Sequence, residues 1–259
     1  MMLAVDIGNT TVVMGAFFGE SDQPRWVRRM PTRHDFTPEQ WLEGLRNLLE
    51  DDLDTPIEGG VLSSVVPPAT ATLLPALETL CGKPPLVLGP DTDHGIEIPY
   101  YDKTKLGNDR VADAIAVKAL FPLPAAIFDM GTATTLSVLD EDGRFVGGMI
   151  LPGIRLMLES LSAQAFQLPE ITIAQPTTVL ANDTVTGMQN GIVYGAASMI
   201  DGLAMRVEER IGRPVNTIVT GGLCRFIVPY CRRDVKFEQH LLLRGLRQLW
   251  LRYREKGLV

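Results

Sequence analysis

The sequence is poor in cysteine and histidine, with three of each among its 259 residues. Cys81, Cys224 and Cys231 form no CxxC pair and are odd in number, which argues against a disulfide framework or a zinc site and fits a reducing cytoplasm. The three histidines are scattered and suggest no metal motif. Positive charge is also scarce, since the formal net charge is −7, so a protein built to bind nucleic acid or anionic lipid is not expected.

Long apolar runs and targeting signals are missing as well. No stretch of about 18 uncharged apolar residues occurs, so no membrane span is predicted. The N-terminal apolar run is interrupted by Asp6 and has no basic region before it, which is not typical of a signal peptide. The GxxxxGK[ST] sequence of a P-loop does not occur either. A cytoplasmic protein without a P-loop is therefore predicted.

One motif occurs twice in the chain. Residues 3–11 and residues 126–134 each read as an apolar strand, then Asp-x-Gly, then small hydroxyl residues. Aligned, Asp6 matches Asp129. The other matched pairs are Gly8 with Gly131 and Thr11 with Thr134. Two copies in the same element order make a plain turn a poor explanation for either.

The elements that follow each copy also correspond. Both halves read as roughly βββαβαβα, with a break near residue 120 at Phe-Pro-Leu-Pro. The second half includes a long helix over about 183–211 and a further helix near 223–231. This order resembles that of the acetate and sugar kinase, Hsp70 and actin superfamily. The resemblance implies an α/β protein with two actin-like (ribonuclease H-like) domains, 1–120 and 121–259, flanking a nucleotide cleft.

The repeated motif suits phosphate chemistry. Glycine lets the backbone turn tightly and approach a ligand, and the exposed amides of such a turn bind anions. Carboxylates facing phosphates need a cation between them, so Asp6 predicts magnesium held through water. The hydroxyl groups predicted to add donors are those of Thr10, Thr11, Thr132, Thr134 and Thr135. The glycines of Thr220-Gly221-Gly222, after an apolar strand, would let an adenosine lie close to the backbone.

A further motif, Gly107-Asn108-Asp109-Arg110, precedes an amphipathic helix. Alone it reads as a helix start with an acidic first turn. Together with residues 6–10, 129–132 and 220–222, it resembles the signature set of type III pantothenate kinases, in the same order and over nearly the whole chain. The resemblance implies ATP-dependent phosphorylation of the primary hydroxyl of pantothenate to 4'-phosphopantothenate, the first step of coenzyme A biosynthesis.

The resemblance also implies roles for individual residues. Asp109 would be the general base, and Gly107, Asn108, Asp109 and Arg110 would hold the substrate. Asp129 would ligate a monovalent cation, K⁺ or NH₄⁺. Tyr100 resembles a substrate-contacting tyrosine, although a rim aromatic beside Pro99 is an equally good reading. The residues that would contact ATP are Asp6, Ile7, Gly8, Asn9, Thr10, Thr11, Val12, Val13 and Thr132, with Gly221 and Gly222 at the adenosine. Asn108 departs from the alanine that the family often has at that position, which bears on fine specificity.

Glycine recurs every four residues in the long predicted helix, at Gly187, Gly191 and Gly195. Residues four apart share one helix face, so this stripe permits close approach of another backbone, either within the chain or across a dimer seam. The family resemblance implies a homodimer, with Thr184 reaching the substrate. Two alternatives stay open: another small-molecule kinase of the same fold, and a non-catalytic regulatory accessory factor.

Overall fold

The computed structural model describes residues 1–259, the side chain of Asp51 excepted. The chain divides into two compact units. The first comprises residues 1–96, 101–120 and 240–259, and the second comprises residues 97–100 and 121–239. Among the described residues, no helix combines the length and apolar content needed to cross a membrane.

The first unit is a five-stranded sheet with helices packed against it. Its elements are β1 (Met2–Ile7), β2 (Thr11–Phe17), β3 (Trp26–Pro31), α1 (Pro38–Leu49), β4 (Gly59–Ser64), α2 (Pro67–Cys81), β5 (Leu86–Val87), α3 (Asn108–Leu120) and α6 (Leu241–Glu255). The sheet order is β3-β2-β1-β4-β5. Strand β1 pairs antiparallel with β2 and parallel with β4. It lies at the centre of the sheet, which explains why its residues 2–5 are buried on both faces.

The second unit has its own five-stranded sheet. Its elements are β6 (Ala125–Met130), β7 (Ala133–Leu139), β8 (Phe145–Pro152), α4 (Ile154–Gln164), α5 (Thr184–Ile211), β9 (Asn216–Thr220) and β10 (Val235–Phe237). The sheet order is β10-β9-β6-β7-β8. Strand β6 pairs antiparallel with β7 and parallel with β9. Read from the other edge, this order repeats that of the first sheet, so the duplicated sequence motif stands at equivalent places. The predicted α/β fold with two such halves is confirmed.

The last helix departs from the order of the chain. The expected break near residue 120 coincides with one boundary between the units, but residues 97–100 belong to the second unit and residues 240–259 to the first. Arginines of α6 account for part of this packing. Arg247 is 1% exposed and donates hydrogen bonds to the backbone oxygens of Gly19 and Ser21, and Arg244 pairs with Asp22. Both thereby fasten α6 to the β2–β3 turn.

The helix predicted near 223–231 is wrong. Two 3₁₀ turns, Cys224–Phe226 and Val228–Tyr230, take its place. Pro229 lacks the backbone N–H that an α-helix would use there. The observed backbone bonds instead join residues three apart, such as Ile227 N to the oxygen of Cys224 at 2.9 Å.

Helices α3 and α6 cross closely at one glycine, and this crossing gives a stability prediction. A Cβ at Gly245 would collide with the backbone oxygen of Ala112. We expect Gly245→Ala to destabilise the protein by about 1–3 kcal/mol, because backbone on both sides must shift. The control is Gly44→Ala in α1, where a Cβ meets only the flexible end of Met30 and the change should stay within about 1 kcal/mol. Thermal unfolding followed by circular dichroism measures both; equal melting temperatures would contradict the close crossing.

Candidate active site

The first acidic turn joins β1 to β2. Asp6 is the second-last residue of β1, and the Gly8 N–H closes the turn by donating to the oxygen of Thr11 at 3.1 Å. Thr32, just after β3, holds the turn from the side. Its hydroxyl donates to the Gly8 oxygen at 2.6 Å and its N–H donates to the Thr10 oxygen at 3.1 Å. Thr32 was not predicted, because only sheet pairing brings it to the turn.

The residues predicted to contact ATP at this turn differ in solvent exposure. Asn9 and Thr10 are exposed at its tip, whereas Ile7 and Val12 are buried in the core. Ile7 and Val12 therefore have only backbone groups to offer a ligand. Gly8, Thr11 and Val13 lie between these extremes.

The carboxyl group of Asp6 is shielded from solvent and has a raised pKa. Its Oδ1 is shielded from solvent and has no hydrogen-bond partner among the described residues. Burial, together with the negative charge of Asp109, raises the pKa of Asp6 from 3.8 to about 7, although a hydrogen bond with the Ser63 side chain acts to lower it. Ser63 stands opposite Asp6 in the β1–β4 pairing and is a site residue that the sequence motif alone could not locate. A buried carboxylate oxygen without a partner suits a cation.

Asp109 lies in the first turn of α3, in the same unit as Asp6. Its Oδ1 accepts a hydrogen bond from the N–H of Arg110 at 2.8 Å. The carboxylate folds back over Gly107, where a Cβ would collide with that same oxygen. Gly107 is therefore required by the position of Asp109. The charge of Asp109 contributes to the raised pKa of Asp6, so the two predicted carboxylates are electrostatic neighbours.

The remaining substrate candidates, two at the start of α3 and one before it, differ in exposure and in contacts. Arg110 is 6% exposed and interacts with other groups of the protein. Tyr100 is 80% exposed in the segment between β5 and α3. Asn108 turns its side-chain amide toward β4, where Nδ2 donates to the oxygen of Ser64 at 3.1 Å.

The second acidic turn joins β6 to β7. Asp129 occupies the place in β6 that Asp6 has in β1 and pairs with Thr220 of β9. Burial, together with the negative charge of Asp129, raises the pKa of the Cys224 thiol. Thr132 is exposed at the turn, but Thr134 is fully buried. Thr134 was predicted to supply a hydroxyl to phosphate; its position in β7 buries its side chain, and its Oγ1 has no hydrogen-bond partner among the described residues.

Two glycines pack tightly against this second turn. Gly221 has a φ of +114°, and a Cβ there would lie 2.5 Å from the oxygen of Met130. Gly153, the N-cap of α4, would collide with the oxygen of Thr132 if it carried a Cβ. Gly153 was missed, since a single Pro-Gly after a strand reads as an ordinary turn. A cavity of about 700 Å³ is lined by Leu223, the residue after Gly222, and by Phe226, Arg155, Glu159 and Thr172 among others.

Helix α5 begins at Thr184, whose preceding residue Asp183 accepts a hydrogen bond from the Thr186 N–H at 2.9 Å. Thr184 stands at an apolar groove of about 890 Å³ between α4 and α5. Gly187 and Gly191 lie in this groove, and the space above Gly191 and Gly195 is open. The larger apolar side chains that line the groove are Leu156, Met157, Leu161, Leu168, Met188 and Ile192.

Metal ligands are sparse. Among the described side chains, no group of three or more His, Cys, Asp or Glu could hold a metal by itself. Magnesium bound with a nucleotide needs only one or two carboxylates, since phosphates and waters complete its shell. The shielded Oδ1 of Asp6 fits that requirement.

The sequence as a whole matches known proteins. A family model described as type III pantothenate kinase matches residues 2–206. The type III pantothenate kinase of Solibacter usitatus (strain Ellin6076) is 35% identical over 254 residues, which cover 97% of each chain. That of Moorella thermoacetica is also 35% identical over 254 residues, covering 97% of this chain and 99% of the relative.

Solved structures match at much lower identity. A Baf family protein from Campylobacter jejuni superposes with a TM-score of 0.60 at 17% identity, covering 99% of this chain and 100% of the other. A ROK hexokinase from Thermus thermophilus superposes with a TM-score of 0.53 at 14% identity, covering 98% and 99%. At these identities the likeness shows the fold alone.

Proposed function

Because the chain belongs to the type III pantothenate kinase family, it is a pantothenate kinase, and we propose that Asp109 is the general base of its phosphoryl transfer. The observation that carries the assignment of Asp109 is that its carboxylate and that of Asp6 lie in the same unit. Asp6 stands at the first acidic turn, where we propose that phosphate binds, and the negative charge of Asp109 contributes to the raised pKa of Asp6. Kinase chemistry needs these two elements together, a place for the phosphates and an acceptor for the hydroxyl proton.

The reaction proceeds as an in-line transfer. The primary hydroxyl oxygen of pantothenate attacks the γ-phosphorus of ATP, the bond from that phosphorus to the β–γ bridging oxygen breaks, and ADP leaves. Asp109 accepts the hydroxyl proton as the new bond forms. The bond from the Arg110 N–H fixes one oxygen of Asp109, which leaves the other for the proton. Arg110 itself is proposed to pair with the substrate carboxylate, which a guanidinium can bind through two parallel donors.

Cations complete the phosphate sites. Magnesium would be held by Asp6 through water and neutralises charge on the phosphates when bound. Asp129 is proposed to bind K⁺ or NH₄⁺, since a carboxylate oxygen can coordinate K⁺ and can accept hydrogen bonds from NH₄⁺. The exposed tips of the two turns, at Asn9, Thr10 and Thr132, are proposed to donate to phosphate oxygens.

The nucleoside is proposed to lie at the Gly221-Gly222 segment. Gly221 has a conformation that L side chains rarely adopt and packs on the end of β6, so backbone rather than side chain faces a ligand there. The adjoining cavity of about 700 Å³ is of the size of small-molecule sites. Synthesis of coenzyme A in the cytoplasm agrees with the three free cysteines.

We further propose that α5 forms the seam of a homodimer, with Thr184 near the substrate. The support is the open groove, whose apolar side chains and bare glycines would otherwise face water. Gly191→Arg is therefore expected to convert a dimer into a monomer, because a long charged side chain would fill the seam. Size-exclusion chromatography with light scattering measures the mass. Glu78→Arg, at an exposed position of α2, is the control and should stay dimeric; a dimeric Gly191→Arg variant would rule out this seam.

The assigned reaction is tested by offering the purified protein ATP, magnesium and a panel of acceptors with and without K⁺. We expect 4'-phosphopantothenate to form in equal amount to ADP, and no comparable transfer to glucose, N-acetylmannosamine or acetate. Mass spectrometry identifies the product. Preferred transfer to a sugar would favour another kinase of this fold, and no transfer to any acceptor would favour a regulatory protein.

A further inference from the structure

The residue before the proposed base makes a contact that its place in the motif does not require. Asn108 begins α3, and its Nδ2 donates to the backbone oxygen of Ser64 at 3.1 Å. Ser64 is the last residue of β4 and pairs with Ile7 of β1, one residue beyond Asp6. The amide of Asn108 therefore links the start of α3 to the strand ends next to the first acidic turn.

The acceptor end of this tie is itself fixed. The hydroxyl of Ser64 accepts hydrogen bonds from Thr70 Oγ1 at 2.6 Å and from the N–H of Val66 at 3.0 Å. These bonds hold Ser64 against the start of α2. A restraint that reaches α3 from this point is thus anchored in both β4 and α2, and it acts on the turn of α3 that bears Asp109.

We infer that Asn108 is a positioning residue that acts through Asp109. Its side chain holds the Asp109 carboxylate beside the first acidic turn and does not contact pantothenate. The inference rests on the proposed role of Asp109 as base. An alanine at this position would have no donor for the Ser64 oxygen. This chain therefore has a restraint at the base that an alanine-bearing motif lacks.

The surroundings of Asn108 separate its effect on rate from its effect on stability. A cavity of about 450 Å³, lined by Ser64, Thr70, Val87 and Asn108 among others, opens beside the amide. Water can enter an open space of this size and satisfy the Ser64 oxygen after the amide is removed. The loss of stability in Asn108→Ala is therefore small, whereas the geometric restraint on Asp109 is lost.

The test compares Asn108→Ala with Asn216→Ala, whose amide also donates to a backbone oxygen, that of Pro124 at 3.3 Å, at the far end of β9 from Thr220. With both substrates saturating, Asn108→Ala should lower kcat by about 10-fold to 100-fold, since small misplacements of a catalytic group have effects of that size. The KM for ATP and the melting temperature should change no more than in Asn216→Ala. An unchanged kcat in Asn108→Ala, or an equal loss in Asn216→Ala, would overturn the inference.

A double-mutant cycle asks whether Asn108 acts through Asp109. When Asp109 is already asparagine, adding Asn108→Ala should reduce the remaining rate by less than about twofold, because residues that act as one unit are not additive. Equal fold-losses in the two backgrounds would show a general structural effect and overturn the inference alone. Wild-type turnover in Asp109→Asn by itself would instead overturn the base assignment, and the inference with it.

Discussion

Replacing Asp109 with asparagine is expected to lower kcat by about 10²-fold to 10⁴-fold, the range that general bases contribute. Asparagine keeps the shape of the side chain, and its oxygen can still accept the bond from the Arg110 N–H that is 2.8 Å long in the wild type. It cannot accept the proton of the pantothenate hydroxyl. Steady-state turnover, with ATP and pantothenate both saturating, measures the change.

The control for this experiment is Asp54→Asn, the same substitution at an exposed aspartate of the first unit. It should retain wild-type turnover. The melting temperature of Asp109→Asn should stay close to the wild-type value, which would show that chemistry rather than folding is lost. A variant at Asp109 that turns over normally would remove the carboxylate from the mechanism.

Replacing Asp6 with asparagine is expected to change activity and stability in opposite directions. Loss of the carboxylate removes the proposed magnesium contact, so turnover should fall at least about 100-fold, as when one preorganised electrostatic contact is lost. The ligand-free protein should become more stable at pH 8, because a carboxylate whose Oδ1 is shielded and has no hydrogen-bond partner among the described residues no longer has to carry charge. Turnover assays and thermal unfolding without nucleotide measure the two effects.

The pH dependence of this stability gain follows from the pKa of Asp6. Folding raises the pKa from 3.8 to about 7, so between these values the folded protein binds more protons than the unfolded chain. The free energy of unfolding of the wild type therefore falls as pH rises through that window. The shift of about three pKa units corresponds to roughly 4 kcal/mol at most. Asp6→Asn should thus gain a few kcal/mol at pH 8 and almost nothing at pH 4.

Two results would contradict this account of Asp6. One is a variant that is less stable than the wild type at pH 8. The other is a stability difference that does not depend on pH, which would mean that the carboxyl group titrates as it does in water. Asp54→Asn again serves as the control, since a solvent-exposed carboxyl group should show no such difference.

The sequence predicted the parts of the site that repeat. Asp6 and Asp129 are each the second-last residue of a buried strand and stand two residues before a glycine. The structure places both next to a parallel strand, opposite Ser63 and Thr220. The duplicated motif can be recognised from the sequence because the same local pattern, a strand end followed by a tight turn, occurs at two places. Strand pairing then fixes the equivalence of the two sheets.

Contacts across the sheet were not predictable in this way. Thr32 holds the first turn and Gly153 packs on the second, yet neither belongs to a local pattern that marks a site. Their roles depend on which strand or helix start lies beside each turn. The burial of Thr134 has the same origin, because strand alternation decides which threonine of β7 faces the core.

The prediction of a helix from apolar composition was wrong where a proline prevents helical hydrogen bonding. The segment after Gly222 has enough apolar residues for a helix, but Pro229 allows only the short 3₁₀ turns. Likewise, nothing local in α6 indicates that it packs with the first unit. That packing depends on the buried arginines Arg244 and Arg247 meeting the β2–β3 turn, a partner more than 200 residues away.

The central claim, that Asp109 activates the pantothenate hydroxyl, is tested most directly by a crystal structure with pantothenate, magnesium and a non-hydrolysable ATP analogue bound. The account predicts that the primary hydroxyl lies within about 3 Å of a carboxylate oxygen of Asp109, the reach that proton transfer requires. A pantothenate whose hydroxyl faces another group, with Asp109 turned away from it, would contradict the account.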